Sequence, residues 1–197
     1  VEITQGVEGA LPIAVQPFAH MANTPAVDIA GIVAADLNRS GRFKSFPREA
    51  FPPSAKQAGE DGDSGPDLAA WRAAGVAHLV IGEVVTTAAD THAVKFRLFD
   101  TVSGRQMLGQ SIPSRGDLLR QAAHRVSDFM YEHLTGIRGV FNTRIAYVTV
   151  TGPTQKPRYR LQVADADGHR PHTVYDSVEP ILSPEWSPDG RRLAYVA

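Results

Sequence analysis

The spacing of apolar residues changes along this chain, and each change marks an element. Ile13-Ala-Val-Gln-Pro-Phe18 reads as a first strand, ended by Pro17. Thr24 and Pro25 offer an N-cap and a first-turn proline. Ile29, Ile32, Val33 and Leu37 then recur at helical spacing, and Gly41 suits the position just past the helix end. The small residues Ala30, Gly31, Ala34 and Ala35 predict a close approach of this helix to a sheet. Phe43 and Phe46 continue as a short strand or anchor. Residues 47–66, rich in Pro, Gly, Ser and acids, read as a long exposed loop. Asp67 to Ala74 predicts a short helix carrying Leu68 and Trp71, closed by Gly75.

Val76 to Val85 is mostly apolar, the pattern of a strand buried on both faces. From His92 to Asp100 the residues alternate, with Val94, Phe96 and Leu98 on one side and Lys95 and Arg97 on the other. Asp100 to Gly104 is a hairpin loop, and Arg105 to Ile112 is the returning strand. Ser114-Arg-Gly-Asp117 has the form of a capping box and predicts a helix from Asp117 to Leu134. Leu118, Ala122, Val126, Phe129 and Met130 share its apolar face. After Gly139 the pattern becomes purely β: Phe141 to Val150, then Tyr159, Leu161 and Val163 alternating with Arg158, Arg160 and Gln162, then Thr173 to Tyr175. Asp165-Ala-Asp-Gly168 and Pro188-Asp-Gly190 are tight-turn sequences.

The β-rich end repeats itself. Arg192-Leu-Ala-Tyr-Val196 echoes Arg144-Ile-Ala-Tyr-Val148, 48 residues apart. That period, with strand content, fits the blade of a propeller, an architecture that needs at least about three repeats to bury its faces. One repeat finishes here and a second begins, so the expectation is a chain cut from a longer protein. Trp186, just before the turn, is placed to fill the contact between adjacent blades.

Composition narrows the chemistry. The formal charge is −1 and the apolar fraction 43%, which supports a packed core and offers no basic face for nucleic acid. Zero cysteines exclude disulfides and thiolate metal sites. No apolar run approaches the roughly 18 residues of a spanning helix. Val1 opens without a basic or long apolar leader, so any signal peptide is expected to have been removed. Asp61, Asp63 and Asp67 are spaced like calcium-loop carboxylates but lack the downstream glutamate, and Asp165 and Asp167 are explained by turn chemistry. His78 reads as a histidine at a strand edge. His124 and His133, nine apart, do not have the spacing of a helical zinc pair and read as solvent or flanking positions. Arg115-Gly-Asp117 is the form of an adhesive triplet, yet capping accounts for it. Serine, histidine and aspartate are scattered without triad spacing, and no nucleophile elbow or phosphate-cradling glycine loop is present. No catalytic, metal or cofactor residues are assigned.

Several runs together resemble the TolB family of periplasmic propeller proteins. They are Asp28-Ile-Ala-Gly-Ile-Val-Ala-Ala-Asp-Leu37 with Ser40-Gly-Arg-Phe43; Trp71-Arg-Ala-Ala-Gly75 leading into Val80-Ile-Gly82; Leu134-Thr-Gly-Ile-Arg-Gly139 with Thr143-Arg-Ile-Ala-Tyr-Val148; and Ser183-Pro-Glu-Trp-Ser-Pro-Asp-Gly190. The resemblance implies an α/β N-terminal domain, residues 13–139, with helices packed on a mixed β-sheet. The first blade and the start of a second blade of a truncated β-propeller follow at 140–197. It also implies a non-enzymatic adaptor of the Tol–Pal system, without cofactor, that links TolA to the lipoprotein Pal in outer-membrane integrity and constriction at cell division. Pal and colicins are implied to bind the mostly absent propeller. The TolA C-terminal domain is implied to bind a mobile N-terminal arm, residues 1–12, with Val1, Glu2, Ile3, Thr4, Val7 and Pro12 as partner contacts. Gly6 and Gly9 would give that arm its freedom. Two rival expectations are the N-terminal part of a propeller-containing serine peptidase, and a sugar- or lipid-binding module tested by ligand-dependent thermal shift.

Overall fold

The computed structural model describes residues 9–20, 27–56 and 65–197. The chain divides after Gly139 into two compact units.

The first unit is an α/β layer structure on a mixed sheet. Its strands are β1 (Leu11–Val15), β2 (Ala19–His20), β3 (Phe43–Ser45), β4 (His78–Ala88), β5 (Thr91–Asp100) and β6 (Arg105–Arg115). The spatial order is β3-β1-β4-β5-β6, with β2 beside β4. β1, β2, β3 and β4 pair in parallel, whereas β4, β5 and β6 form an antiparallel meander. The parallel pair β1 and β3 needs a crossover, supplied by helix α1 (Ile29–Arg39).

Alternation sorts the strand side chains between two cores. Ile13, Val15, Val80, Val84, Val94, Phe96 and Leu98 pack against α1 and against α3 (Leu119–Thr135). From the helices come Ile29, Val33 and Leu37, then Leu119, Ala122, Val126 and Met130, all buried. On the opposite face Ala14, Leu79 and Phe99 meet Trp71 of α2 (Leu68–Ala73) and Val76. Phe51 stands edge-on to Trp71 at 4.8 Å between ring centroids, and Phe46 closes the aromatic group. The expected two-sided burial of the strand after Gly75 is therefore seen, although the strand runs from His78 to Ala88 rather than from Val76 to Val85.

Three local expectations are corrected. α1 is capped by Asp28, whose carboxylate accepts from the Gly31 N–H at 2.9 Å; Thr24 and Pro25 lie outside the described residues. Gly31 belongs to this cap: an added Cβ would lie 2.5 Å from the Asp28 carboxylate, so its smallness serves the turn and not the sheet. The capping box at Ser114 does not form. Pairing with β5 carries β6 through to Arg115, opposite Thr91, so Ser114 is a strand residue. Its hydroxyl donates to the Arg115 carbonyl, and α3 starts only at Leu119 without a side-chain cap. α3 ends as expected, at Gly136 with φ of 71°, a conformation that favours glycine.

The second unit is all antiparallel. β7 (Arg144–Thr151), β8 (Arg158–Asp165) and β9 (His172–Ser177) form a three-stranded meander, and β10 (Leu182–Trp186) pairs with β11 (Leu193–Val196). The two echoed runs become β7 and β11. The turn between β10 and β11 is closed by the Gly190 N–H donating to the Ser187 carbonyl at 2.8 Å and by the Ser187 hydroxyl donating to Asp189. Trp186 lies under the Arg144 guanidinium, 5.3 Å from carbon to ring centroid, and Tyr175 meets Tyr195 at 5.2 Å.

Candidate partner-binding site

Of the six arm residues, Val1, Glu2, Ile3, Thr4 and Val7 lie outside the described residues. Pro12 does not belong to an arm. It sits in β1 opposite Lys44, and its carbonyl accepts from the Ala77 N–H at 3.2 Å. The sheet begins at Leu11, because β1 pairs with β3 from that residue. Gly9, with φ of 105°, precedes that strand by two residues.

The first unit also has the place where open α/β sheets commonly take ligands. The chain crosses from β1 to β3 on one side, while β4 lies on the other, and the crevice at such a reversal is a favoured binding position. After Pro17 the chain turns in as β2 and pairs with the second half of β4. The Phe18 ring covers Gly82, where an added Cβ would lie 2.2 Å from the ring. The N-terminus of α1, which could receive an anion, is taken by Asp28, itself bridged by Arg48 at 2.7 Å. Burial pushes the Asp28 carboxyl up. The Arg48 and Gly31 hydrogen bonds and the Arg48 charge outweigh that and hold it below the usual carboxylate range.

A buried polar group joins α1 to α3. Asp36 Oδ2 accepts from His124 Nδ1 at 2.7 Å and from the Ser127 hydroxyl at 2.7 Å, and Asp36 Oδ1 meets Arg39. Asp36, His124 and Ser127 are at most 1% exposed. His124 is thus an interior residue, against the expectation of a solvent or flanking position; α3 turns it toward a carboxylate on α1 that receives its N–H. Serine, histidine and aspartate do meet, but the Ser127 hydroxyl reaches the Asp36 carboxylate and the Ala123 carbonyl, not the His124 imidazole. This group was missed from the sequence. Its trace is there, since Asp36 falls seven residues after Ile29 on the apolar stripe of α1, and His124 and Ser127 are three apart on α3.

The other singled-out residues serve local structure. Arg115 Nε reaches Asp117 at 3.4 Å, so the two charged ends of the Arg-Gly-Asp triplet close on each other. Asp67 caps α2 through the Ala70 N–H at 3.0 Å, while Asp61 and Asp63 lie outside the described residues. Asp167 accepts from the His169 N–H in the turn after β8. His133 is exposed. His78 is the first residue of the internal strand β4, opposite Asp100, and its Nδ1 finds no hydrogen-bond partner among the described residues. Desolvation pushes the His78 imidazole below its ordinary value; Asp100 opposes this, and His133 adds to it.

Comparison with known proteins agrees with this architecture unit by unit. Residues 1–107 match the TolB amino-terminal domain, and residues 131–197 match the TolB β-propeller domain. The Tol-Pal system protein TolB of Thioalkalivibrio sulfidiphilus is 51% identical over 199 residues, an alignment covering 100% of this chain and 45% of that protein. The protein of the same description from Nitrosococcus oceani is 46% identical, with 44% of its length covered. The crystal structure of TolB from Acinetobacter baumannii superposes with a TM-score of 0.81 at 38% identity, across 100% of this chain and 46% of that one. The chain spans a little under half the length of these relatives. With an amino-terminal domain match over more than half of its residues and a propeller repeat after it, the chain belongs to the TolB family.

Proposed function

We propose that this chain is the amino-terminal part of a non-enzymatic adaptor of the Tol–Pal system in the periplasm. The observation that carries the reading is the match of residues 1–107 to the TolB amino-terminal domain, supported by relatives described as Tol-Pal system protein TolB. Two structural features are compatible with it. The Phe18 ring covers Gly82 and Asp28 occupies the N-terminus of α1, and no helix among the described residues is long and apolar enough to cross a membrane.

In this reading the segment before Leu11 is the working part. Val1, Ile3 and Val7 would insert at a partner's sheet edge, with Glu2 and Thr4 between them, and main-chain hydrogen bonds of strand addition would give affinity. The partner is the C-terminal domain of TolA. Pal and colicins would engage the propeller, of which this chain holds the beginning. The α/β unit would act as a rigid base for the arm.

Calorimetric titration tests this. The chain and a version lacking residues 1–8, which leaves β1 whole, are each titrated with the TolA C-terminal domain. Binding by the full chain that is lost on truncation supports the arm. Equal binding by both, or by neither, would overturn the placement of the site.

A further inference from the structure

No further inference is drawn: the strongest candidate, the unpaired outer edge of β7 in the second unit, carries nothing because no segment among the described residues is paired with it and nothing in the structure shows what covers it.

Discussion

The two units hold their apolar residues differently. In the first, Ile13, Leu79, Val84, Phe96, Leu98 and Trp71 are all at most 1% exposed, with helices on one face of the sheet and α2 with its aromatics on the other. In the second, Leu161, Val163, Ala164 and Ile181 are buried, but Val150, Val174, Val178, Leu182 and Val196 stay at least half exposed. A layered α/β unit closes its own core because helices arrive from the same short segment of chain as the strands they cover. A blade has no such cover and relies on its neighbours. The relatives, more than twice as long, have room for those neighbours.

The largest expected effect is therefore a difference in local stability. Amides of β4 and β5 should exchange only on global unfolding, whereas those of β7 to β9 should open on the order of a hundredfold more readily or faster. Hydrogen exchange followed by mass spectrometry measures this directly. A monomer with uniformly strong protection across residues 144–196 would break the comparison.

Next is Asp36→Ala. It leaves the imidazole N–H of His124 and the hydroxyl of Ser127 without their shared acceptor inside the α1–α3 interface. Breaking a buried pair on one side costs about 3–5 kcal/mol, and urea denaturation of the chain should show it. The loss should stay in the first unit, leaving exchange in β7 to β9 unchanged. A smaller effect is expected of Gly82→Ala, where the new methyl group meets the Phe18 ring. Overpacking of this kind costs about 1–3 kcal/mol. An unaltered denaturation midpoint would mean that the ring moves freely and does not plug the crevice. Asp28→Ala should cost less again, about 1 kcal/mol for a lost N-cap, and Asp28→Ser should recover most of it.

These residues also show what was legible beforehand. β5 was readable because Val94, Phe96 and Leu98 alternate with Lys95 and Arg97 in one short window, and burial of one face is enough to set that pattern. The short helix α2 with Leu68 and Trp71 was equally local, although the capping role of Asp67 was not read. The Ser114 pattern misled because four residues that can open a helix can also end a strand. Pairing of Arg115 with Thr91 settled the matter, and a capping pattern does not encode that pairing. Asp36 and His124 lie 88 residues apart, so no window contains both. The same holds for Phe18 and Gly82, whose contact depends on β2 resuming the parallel pairing with β4 that β1 begins. The candidate arm rested on family resemblance; the structure shows that β1 begins at Leu11.

The smallest expected effect concerns pH, and it separates the first unit's histidine from its carboxylates. The His78 imidazole titrates below 6.5 in the folded chain because half-burial disfavours its charged form. The unfolded chain therefore takes up that proton first as the solution is acidified. Stability from neutral His78 is fully present above about pH 6.5 and is lost as pH falls through the folded value. Asp28 and Asp100 behave oppositely in sign, since their folded values are depressed from 3.8. Asp28 is lowered by the Arg48 and Gly31 hydrogen bonds acting against burial, and Asp100 by hydrogen bonds from Ser103 and Val102. Their contribution is present above about pH 4 and is lost as pH falls through their folded values, whereas the histidine contribution already begins to fall below about pH 6.5. Comparing urea midpoints of the chain and of His78→Gln between pH 7.5 and about pH 5 isolates the histidine. The difference should be constant at the alkaline end and drift in favour of the variant on acidification. A difference that is flat throughout would place the His78 ring in contact with water, and the junction of β4 with Asp100 would be more open than the first unit's other contacts.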